Sequence, residues 1–359
     1  MEWSSKNQYN SFNSAKGLAY YDHYRAIVGW LNGNDYLPPP IEVNLDPIAK
    51  CNLNCYFCIT QSYLKHNPSM TELPLDYMIK LVDFLAEWGV RGLCLSGGGE
   101  PTLHKGLGAL VYYASAVAGM DVAVVTNATN LGEYLLRCRW VALSVDASNR
   151  ETYKEIKGAD KFVQVCRNIK CLADTRKRIG SSTDLCFKFL IMPENQYEIY
   201  DACLLAKSLG VQDFHARPVD FERKDIKGAR KLDMDIGAIH EQFRMCHEIE
   251  TEDFRVFAIT HKFDSQFHVK YDYSSCLAAP IILPILTDGN AYICVEHKME
   301  EKYRLGSAEE ILNWWGGDRH RQMIRDIVPE RDCSRCIYGQ YNRQISEAVI
   351  KDGLCLNFP

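Results

Sequence analysis

The sequence predicts an α/β protein: a partial (β/α)6 TIM-like barrel followed by a small α+β domain. Three observations carry this reading. Short apolar runs alternate with amphipathic runs from residue 41 to residue 217, the pattern of parallel βαβ units. Polar clusters fall where the apolar runs end, which is the working edge of such sheets. Beyond residue 271, cysteines return in a stretch that reads as a hairpin and short helices.

A chain of 359 residues is long enough for one large domain and a smaller one. Hydrophobic residues make up 47% and charged residues 24%, ordinary values for a soluble globular protein. A formal net charge of −5 gives no general footprint for nucleic acid or an acidic membrane. No apolar run approaches a membrane span, and Pro284 interrupts Ile281–Leu286. The first residues lack the layout of a signal peptide, so the expected location is the cytoplasm. There, fifteen cysteines point to metal rather than disulfides. Seven of them (Cys94, Cys138, Cys166, Cys171, Cys186, Cys203 and Cys246) sit singly in apolar patterns and read as small buried hydrophobes.

Residues 1–40 read as an N-terminal extension packing on the main domain. They include a helix around Tyr20–Leu31 and end at Pro38-Pro39-Pro40, which enforces an extended entry into the barrel. The barrel occupies residues 41–220. Its first strand is Ile41–Ile48. Its first helix is Pro74–Trp88, with Leu75, Met78, Ile79, Val82 and Leu85 on one face and Gly89 closing it. Strands follow at Arg91–Ser96, Asp121–Thr126, Trp140–Val145, Leu185–Ile191 and Val211–Arg217. Between them lie helical stretches at Leu107–Ala118, Leu131–Leu136, Asp160–Arg178 and Tyr197–Leu209. Residues 221–270 are charged and irregular and read as a helical linker, and residues 271–359 as the small C-terminal domain.

Directly after the first strand stands Cys51-Asn-Leu-Asn-Cys55-Tyr-Phe-Cys58. Three thiolates hold three irons of a cubane cluster and leave the fourth open to an outside ligand. Zinc takes four protein ligands, usually in C-x2-C pairs, and fits this spacing poorly. After the second strand comes Ser96-Gly97-Gly98-Gly99-Glu100-Pro101. Its glycines let the backbone approach a ligand, and Glu100 offers a carboxylate to an amine. The third strand ends in Thr126-Asn127, the fourth in Ser144-Val145-Asp146 and the fifth near Pro193-Glu194-Asn195. The sixth carries His215 and Arg217.

Together, Cys51, Cys55, Cys58 and the Gly98–Pro101 loop resemble the radical SAM superfamily over roughly residues 41–220. The resemblance implies a [4Fe–4S] cluster whose open iron is chelated by S-adenosylmethionine. Reduction of the sulfonium would release methionine and a 5′-deoxyadenosyl radical that abstracts substrate hydrogen. By the same resemblance, Gly98, Gly99 and Glu100 would meet the methionine amine. Thr126, Asn127, Ser144 and Asp146 would lie near the ribose and carboxylate, and Phe57 and the Leu190-Ile191 backbone would flank the adenine.

Farther on, Cys276, Gly289 and Cys294 form C-x12-G-x4-C in a hairpin turning at Thr287-Asp288-Gly289-Asn290. After a helix around Ala308–Trp315, Cys333-Ser-Arg-Cys336 completes four thiols. By spacing alone these suit either an iron–sulfur cluster or a zinc ribbon. The hairpin is similar to that of twitch/SPASM-like iron–sulfur domains, which implies one auxiliary [4Fe–4S] cluster on Cys276, Cys294, Cys333 and Cys336. The chain departs from the longer SPASM pattern, because no thiol follows Cys336 until Cys355, which is spare or a substitute ligand.

The resemblance thus implies an enzyme that oxidises or rearranges a small, peptide or carrier-linked substrate, reduced by an external donor such as flavodoxin or ferredoxin. Forty residues before the first strand are too few for the leader-binding domain of many peptide maturases. That leans the expectation toward small or carrier-linked substrates. Substrate-handling candidates are His215, Arg217 and Asp220, for which a buried charge pair or a capped strand end is the structural alternative. The stretch Arg223–Lys231, five basic residues in nine, reads as a solvated helix face. A nucleotide or nucleic-acid-linked substrate is its less favoured meaning. The competing class is a non-catalytic iron–sulfur or zinc-binding protein, which would have no use for an amine-binding glycine loop.

Overall fold

The computed structural model describes residues 17, 19–60, 72–219, 234–258, 265, 267, 269–334 and 336–351. Asp220, the basic stretch at 223–231 and Cys355 lie outside the described residues.

Six strands stand parallel and in chain order: β1 (Glu42–Leu45), β2 (Gly92–Leu95), β3 (Asp121–Thr126), β4 (Trp140–Ser144), β5 (Asp184–Ile191) and β6 (Asp213–Pro218). Most of their residues are apolar and buried, as in a parallel sheet covered on both faces. The fold is α/β with a partial TIM-like barrel. The helix α1 (Tyr21–Leu31) precedes the barrel. The covering helix α2 (Leu75–Trp88) buries Met78, Leu81, Val82 and Leu85 at helical spacing. It stops at Gly89, whose φ of 110° is open to a residue without Cβ. The next helix, α3 (Leu107–Tyr112), runs on as a π-helical turn over Tyr113–Val117.

Four findings differ from the sequence expectations. First, a short helix, α4 (Arg150–Lys157), stands between β4 and the long α5 (Phe162–Ile179). Second, Cys171 is exposed. The buried face of α5 runs through Val165, Ile169, Leu172 and Ala173, and position 171 falls outside that stripe. Third, the stretch expected as a linker holds a helix, numbered α7 (Ile236–Glu248) after α6 (Ile199–Leu209), and a strand, β7 (Arg255–Ala258), which pairs parallel with β6. The first residue of β7 is charged, but Arg255 is buried against Asp213 (2.5 Å) and Asp184 (3.0 Å). Fourth, α1 docks on the C-terminal segment as well as beside the barrel. Trp30 Nε1 donates to the Gly316 carbonyl (2.7 Å), and Arg325 Nε from α8 (Asp318–Arg325) donates to the Leu31 carbonyl (3.1 Å).

The C-terminal hairpin forms as expected, with β8 (Ile282–Ile285) and β9 (Asn290–Tyr292) turning at Gly289, φ 74°. A further strand, β10 (Arg304–Ser307), pairs antiparallel with β9. This hairpin does not form a sheet of its own. β8 pairs parallel with β1, so one open ten-stranded sheet runs β10-β9-β8-β1-β2-β3-β4-β5-β6-β7. Among the described residues no helix is long and apolar enough to cross a membrane.

Candidate active site

The expected residues converge. Cys51, Cys55 and Cys58, the Gly98–Glu100 loop, Phe57, Thr126, Asn127, Ser144, Asp146, Leu190, His215 and Arg217 all border one cavity of about 330 Å³ at the carboxyl ends of β1–β6. That is the low end of the size range for small-molecule sites.

The two motif loops are in main-chain contact. Gly99 N donates to the Ile48 carbonyl (3.0 Å) and Glu100 N to the Lys50 carbonyl (2.9 Å). A Cβ on Gly99 would fall 2.6 Å from the carbonyl carbons of Ala49 and Lys50, so only glycine permits this approach. Within the cysteine loop, Cys58 N donates to the Cys55 carbonyl (3.2 Å). Cys51 is exposed and the other two thiols are half-buried. Burial pushes the Cys55 thiol up to about 11, against the pull of the nearby Lys157 ammonium. Thiols in this state lose their protons when iron binds. Three thiols bordering one cavity beside a glycine loop are, as a donor set, suited to a cluster with one open iron.

Glu100 is buried, and its carboxylate is engaged by protein donors. Oε1 accepts from Thr102 N (3.1 Å), Thr102 Oγ1 (2.7 Å) and Thr126 Oγ1 (2.5 Å), and Oε2 accepts from Asn127 N (2.7 Å). Glu100 therefore ties the end of β3 to the loop after β2. Asn127 continues the chain of bonds. Its Nδ2 donates to Asn52 Oδ1 (2.9 Å) inside the cysteine loop and lies 3.9 Å from Cys51 Sγ.

On the opposite wall, Asp146 adopts φ 61°, a strained conformation held by its bonds. Its Oδ1 accepts from Leu190 N (2.8 Å), its carbonyl accepts from Asn195 Nδ2 (2.8 Å), and its carboxylate pairs with Lys157. Lys157, at the end of α4, is 2% exposed. Burial alone would push its ammonium down, but Asp146 and Cys55 outweigh that and hold it above the usual lysine range. Its Nζ lies 5.3 Å from the Phe57 ring centroid. The main chain of α4 also supports the cysteine loop, through Asn54 N to the Lys157 carbonyl (3.0 Å) and Tyr56 N to the Ile156 carbonyl (3.3 Å). Lys157 was not among the residues expected from the sequence. The available signal was Asn149, which caps α4 by accepting from Thr152 N (3.0 Å), followed by Gly158 in the left-handed region.

Lys188 is a second missed residue. It faces the cavity from β5, in register with His215 on β6, while Leu190 pairs with Arg217 one step along. Burial, with the Arg217 charge beside it, pushes its ammonium below the lysine range.

In the C-terminal segment, Cys276, Cys294, Cys333 and Cys336 border one small cavity with Glu296 and His297. Burial and then neighbouring Cys336 push Cys276 up to about 12. Among the described residues no three His, Cys, Asp or Glu side chains are gathered around a common point for a single metal ion. The four thiols share a cavity wall instead, and as a donor set they match a cubane cluster.

Residues 45–203 match the radical SAM superfamily. Over these residues the chain is similar to radical SAM domains. It is 26% identical over 170 residues to a probable GTP 3′,8-cyclase of Saccharolobus islandicus (strain M.14.25 / Kamchatka #1), covering 46% of this chain and 52% of that protein. It is also 26% identical over 200 residues to the antilisterial bacteriocin subtilosin biosynthesis protein AlbA of Bacillus subtilis (strain 168), covering 53% of this chain and 42% of that one. The chain thus spans about half the length of the curated relatives it matches. Among solved structures, Streptococcus suis SuiB bound to precursor peptide SuiA superposes with a TM-score of 0.63 at 15% identity, over 95% of this chain and 81% of that one. Native anSMEcpe with bound AdoMet gives 0.55 at 14%, over 86% and 96%. These likenesses reach across the C-terminal segment and show a shared fold.

Proposed function

We propose that the protein is a radical SAM enzyme that abstracts hydrogen from its substrate and uses an auxiliary cluster to support oxidation or rearrangement. The observation that carries this reading is the shared cavity: three thiols, the Gly98–Glu100 loop and the Thr126, Ser144 and Asp146 strand ends line one wall-to-wall site. A [4Fe–4S] cluster on Cys51, Cys55 and Cys58 supplies, when bound, the electron that splits the sulfonium of S-adenosylmethionine. The chain's own part is to position. Gly98 and Gly99 bring backbone to the methionine end, with Glu100 holding that loop against Thr126 and Asn127. Phe57 and Leu190 supply an apolar face for the adenine, and Asp146, fixed by Lys157, stands toward the ribose. Cys276, Cys294, Cys333 and Cys336 would hold the auxiliary cluster, and a flavodoxin or ferredoxin would donate the electron.

For the substrate, the SuiB–SuiA complex and the bacteriocin-biosynthesis relative AlbA favour a peptide. This outweighs the lean toward small or carrier-linked molecules, which rested on the length of the N-terminal stretch. A nucleotide is the second reading, favoured by the GTP 3′,8-cyclase relatives and by Lys188, His215 and Arg217 on the cavity wall. The decisive assay is anaerobic reconstitution followed by dithionite and S-adenosylmethionine. We expect 5′-deoxyadenosine and about eight irons per chain, falling to about four in Cys55→Ala. The reading fails if no 5′-deoxyadenosine forms and Cys55→Ala leaves the iron content unchanged.

A further inference from the structure

The four thiols of the C-terminal segment have unequal surroundings. Cys276 and Cys294 meet backbone groups, of Ala278 and Ala279 and of Glu296 respectively. The Cys333–Cys336 pair meets side chains. His297 Nε2 lies 3.3 Å from Cys333 Sγ, and Asn342 Nδ2 donates to Cys336 Sγ at 3.5 Å. His297 is 3% exposed and borders the cavity of the four cysteines.

Its ring is held from three sides. His297 N donates to the Cys294 carbonyl (3.1 Å), so the residue is anchored to the backbone of one of the four cysteines. Nδ1 lies 2.9 Å from the Glu300 carboxylate, and the ring packs on Tyr303 with centroids 4.1 Å apart. A carboxylate only accepts, and so does a thiolate bound to iron. Of the two ring tautomers, the one with hydrogen on Nε2 makes the 3.3 Å contact a hydrogen bond to the Cys333 sulfur. An N–H aimed at a ligand sulfur stabilises the added negative charge of a reduced cluster more than it stabilises the oxidised one.

We infer that His297 is a positioning residue of the auxiliary cluster proposed above, whose N–H bond to the Cys333 sulfur raises the cluster's reduction potential. Glu300 and Tyr303 aim the ring, and Asn342 acts in the same sense on Cys336. The inference rests on the auxiliary cluster being iron–sulfur. It adds which residue sets its electron affinity, and in which direction.

The test is an EPR-monitored redox titration of the full-length, reconstituted protein. Added S-adenosylmethionine perturbs the cluster with the open iron and so labels it; that cluster serves as the internal reference. His297→Phe keeps a ring against Tyr303 and removes both ring nitrogens. His297→Gln keeps an N–H that reaches where Nε2 stood. We expect His297→Phe to make the auxiliary cluster at least tenfold harder to reduce, a midpoint lower by 59 mV for one electron. We expect His297→Gln to recover most of this shift, and the reference cluster to stay put in both. Equal shifts in both variants, or none in His297→Phe with both clusters loaded, overturn the assignment. So does loss of the auxiliary irons in His297→Phe, which makes the residue an assembly element instead. About four irons and one zinc in the wild-type protein mark a different failure, that of the auxiliary-cluster reading itself.

Discussion

Adding one methyl group at Gly99 tests whether the two motif loops act as a unit. The Cβ of Gly99→Ala would stand 2.6 Å from the carbonyl carbons of Ala49 and Lys50, where ordinary contact begins at 3.4 Å. Both obstacles are backbone, so the loops must part by at least about 0.8 Å. That movement stretches the bonds from Gly99 N to Ile48 and from Glu100 N to Lys50. Two weakened hydrogen bonds cost about 1–3 kcal/mol together, and overpacking strain adds about 1–3 kcal/mol, for a loss of about 2–6 kcal/mol. Function should suffer beyond stability, because a shift of about 1 Å in a positioned site costs on the order of 100-fold in rate. Urea unfolding of the reconstituted protein reads the first effect, and 5′-deoxyadenosine formation at saturating S-adenosylmethionine reads the second. A Gly99→Ala protein with wild-type stability and turnover would show that the loops do not need this contact.

The Lys157–Asp146 pair is almost fully buried, so Lys157→Met should destabilise by about 3–5 kcal/mol by stranding the carboxylate, and Lys157→Met/Asp146→Asn should recover much of this. Equal losses in the single and double variants would assign the effect to packing instead. His320 supplies a pH dependence, since burial among Trp30, Trp314 and Trp315 lowers it to about 3, and it accepts from Gly316 N (3.2 Å) in its neutral form. Below pH 6.5 the unfolded chain takes up a proton that the folded chain refuses, so its stabilising effect is complete above pH 6.5 and fades as pH falls toward 3. At pH 5 the loss is about 2 kcal/mol, and in His320→Phe the stability difference between pH 7.5 and pH 5 should shrink by that amount. An unchanged difference would mean that His320 titrates normally in the folded protein.

What could be read from the sequence was chemistry that residue type alone declares. Cys51, Cys55 and Cys58 advertise a cluster because few other roles gather three thiols, and Gly97–Gly99 advertise a close backbone approach. The strands β1–β6 were legible because continuous apolar runs leave little else to form. The rest depended on neighbours that the chain supplies from far away. Lys157 looks like any helix-end lysine until α4 folds it under the cysteine loop onto Asp146. Glu100 looks like a ligand group, yet its oxygens meet Thr102, Thr126 and Asn127, and only the β2–β3 pairing brings the last two within reach. β7 was hidden because it is four residues long and opens with Arg255, whose acidic partners start β5 and β6. The pairing of β8 with β1 spans some 240 residues of chain and has no local signal.

That last pairing bears most directly on how the two cysteine sets work together. β1 leads into the Cys51 loop and β2 into the glycine loop, while β8 and β9 lie between Cys276 and Cys294. Because β8 pairs with β1 over four residues, the Cys51 loop and the Cys276–Cys294 hairpin hang from adjacent strands of one sheet. A side-chain contact repeats the link. Lys298, four residues beyond Cys294, reaches Asp46 at the end of β1 (2.9 Å), and Asp46 also accepts from Ser96 Oγ (3.3 Å) beside the glycine loop. Both partners are buried, so this pair resists exchange with water far more than a surface ion pair would. The separation between the two candidate clusters is therefore set by backbone register and a buried charge pair. A hinge that changed it would have to break four residues of parallel pairing and strand two charges.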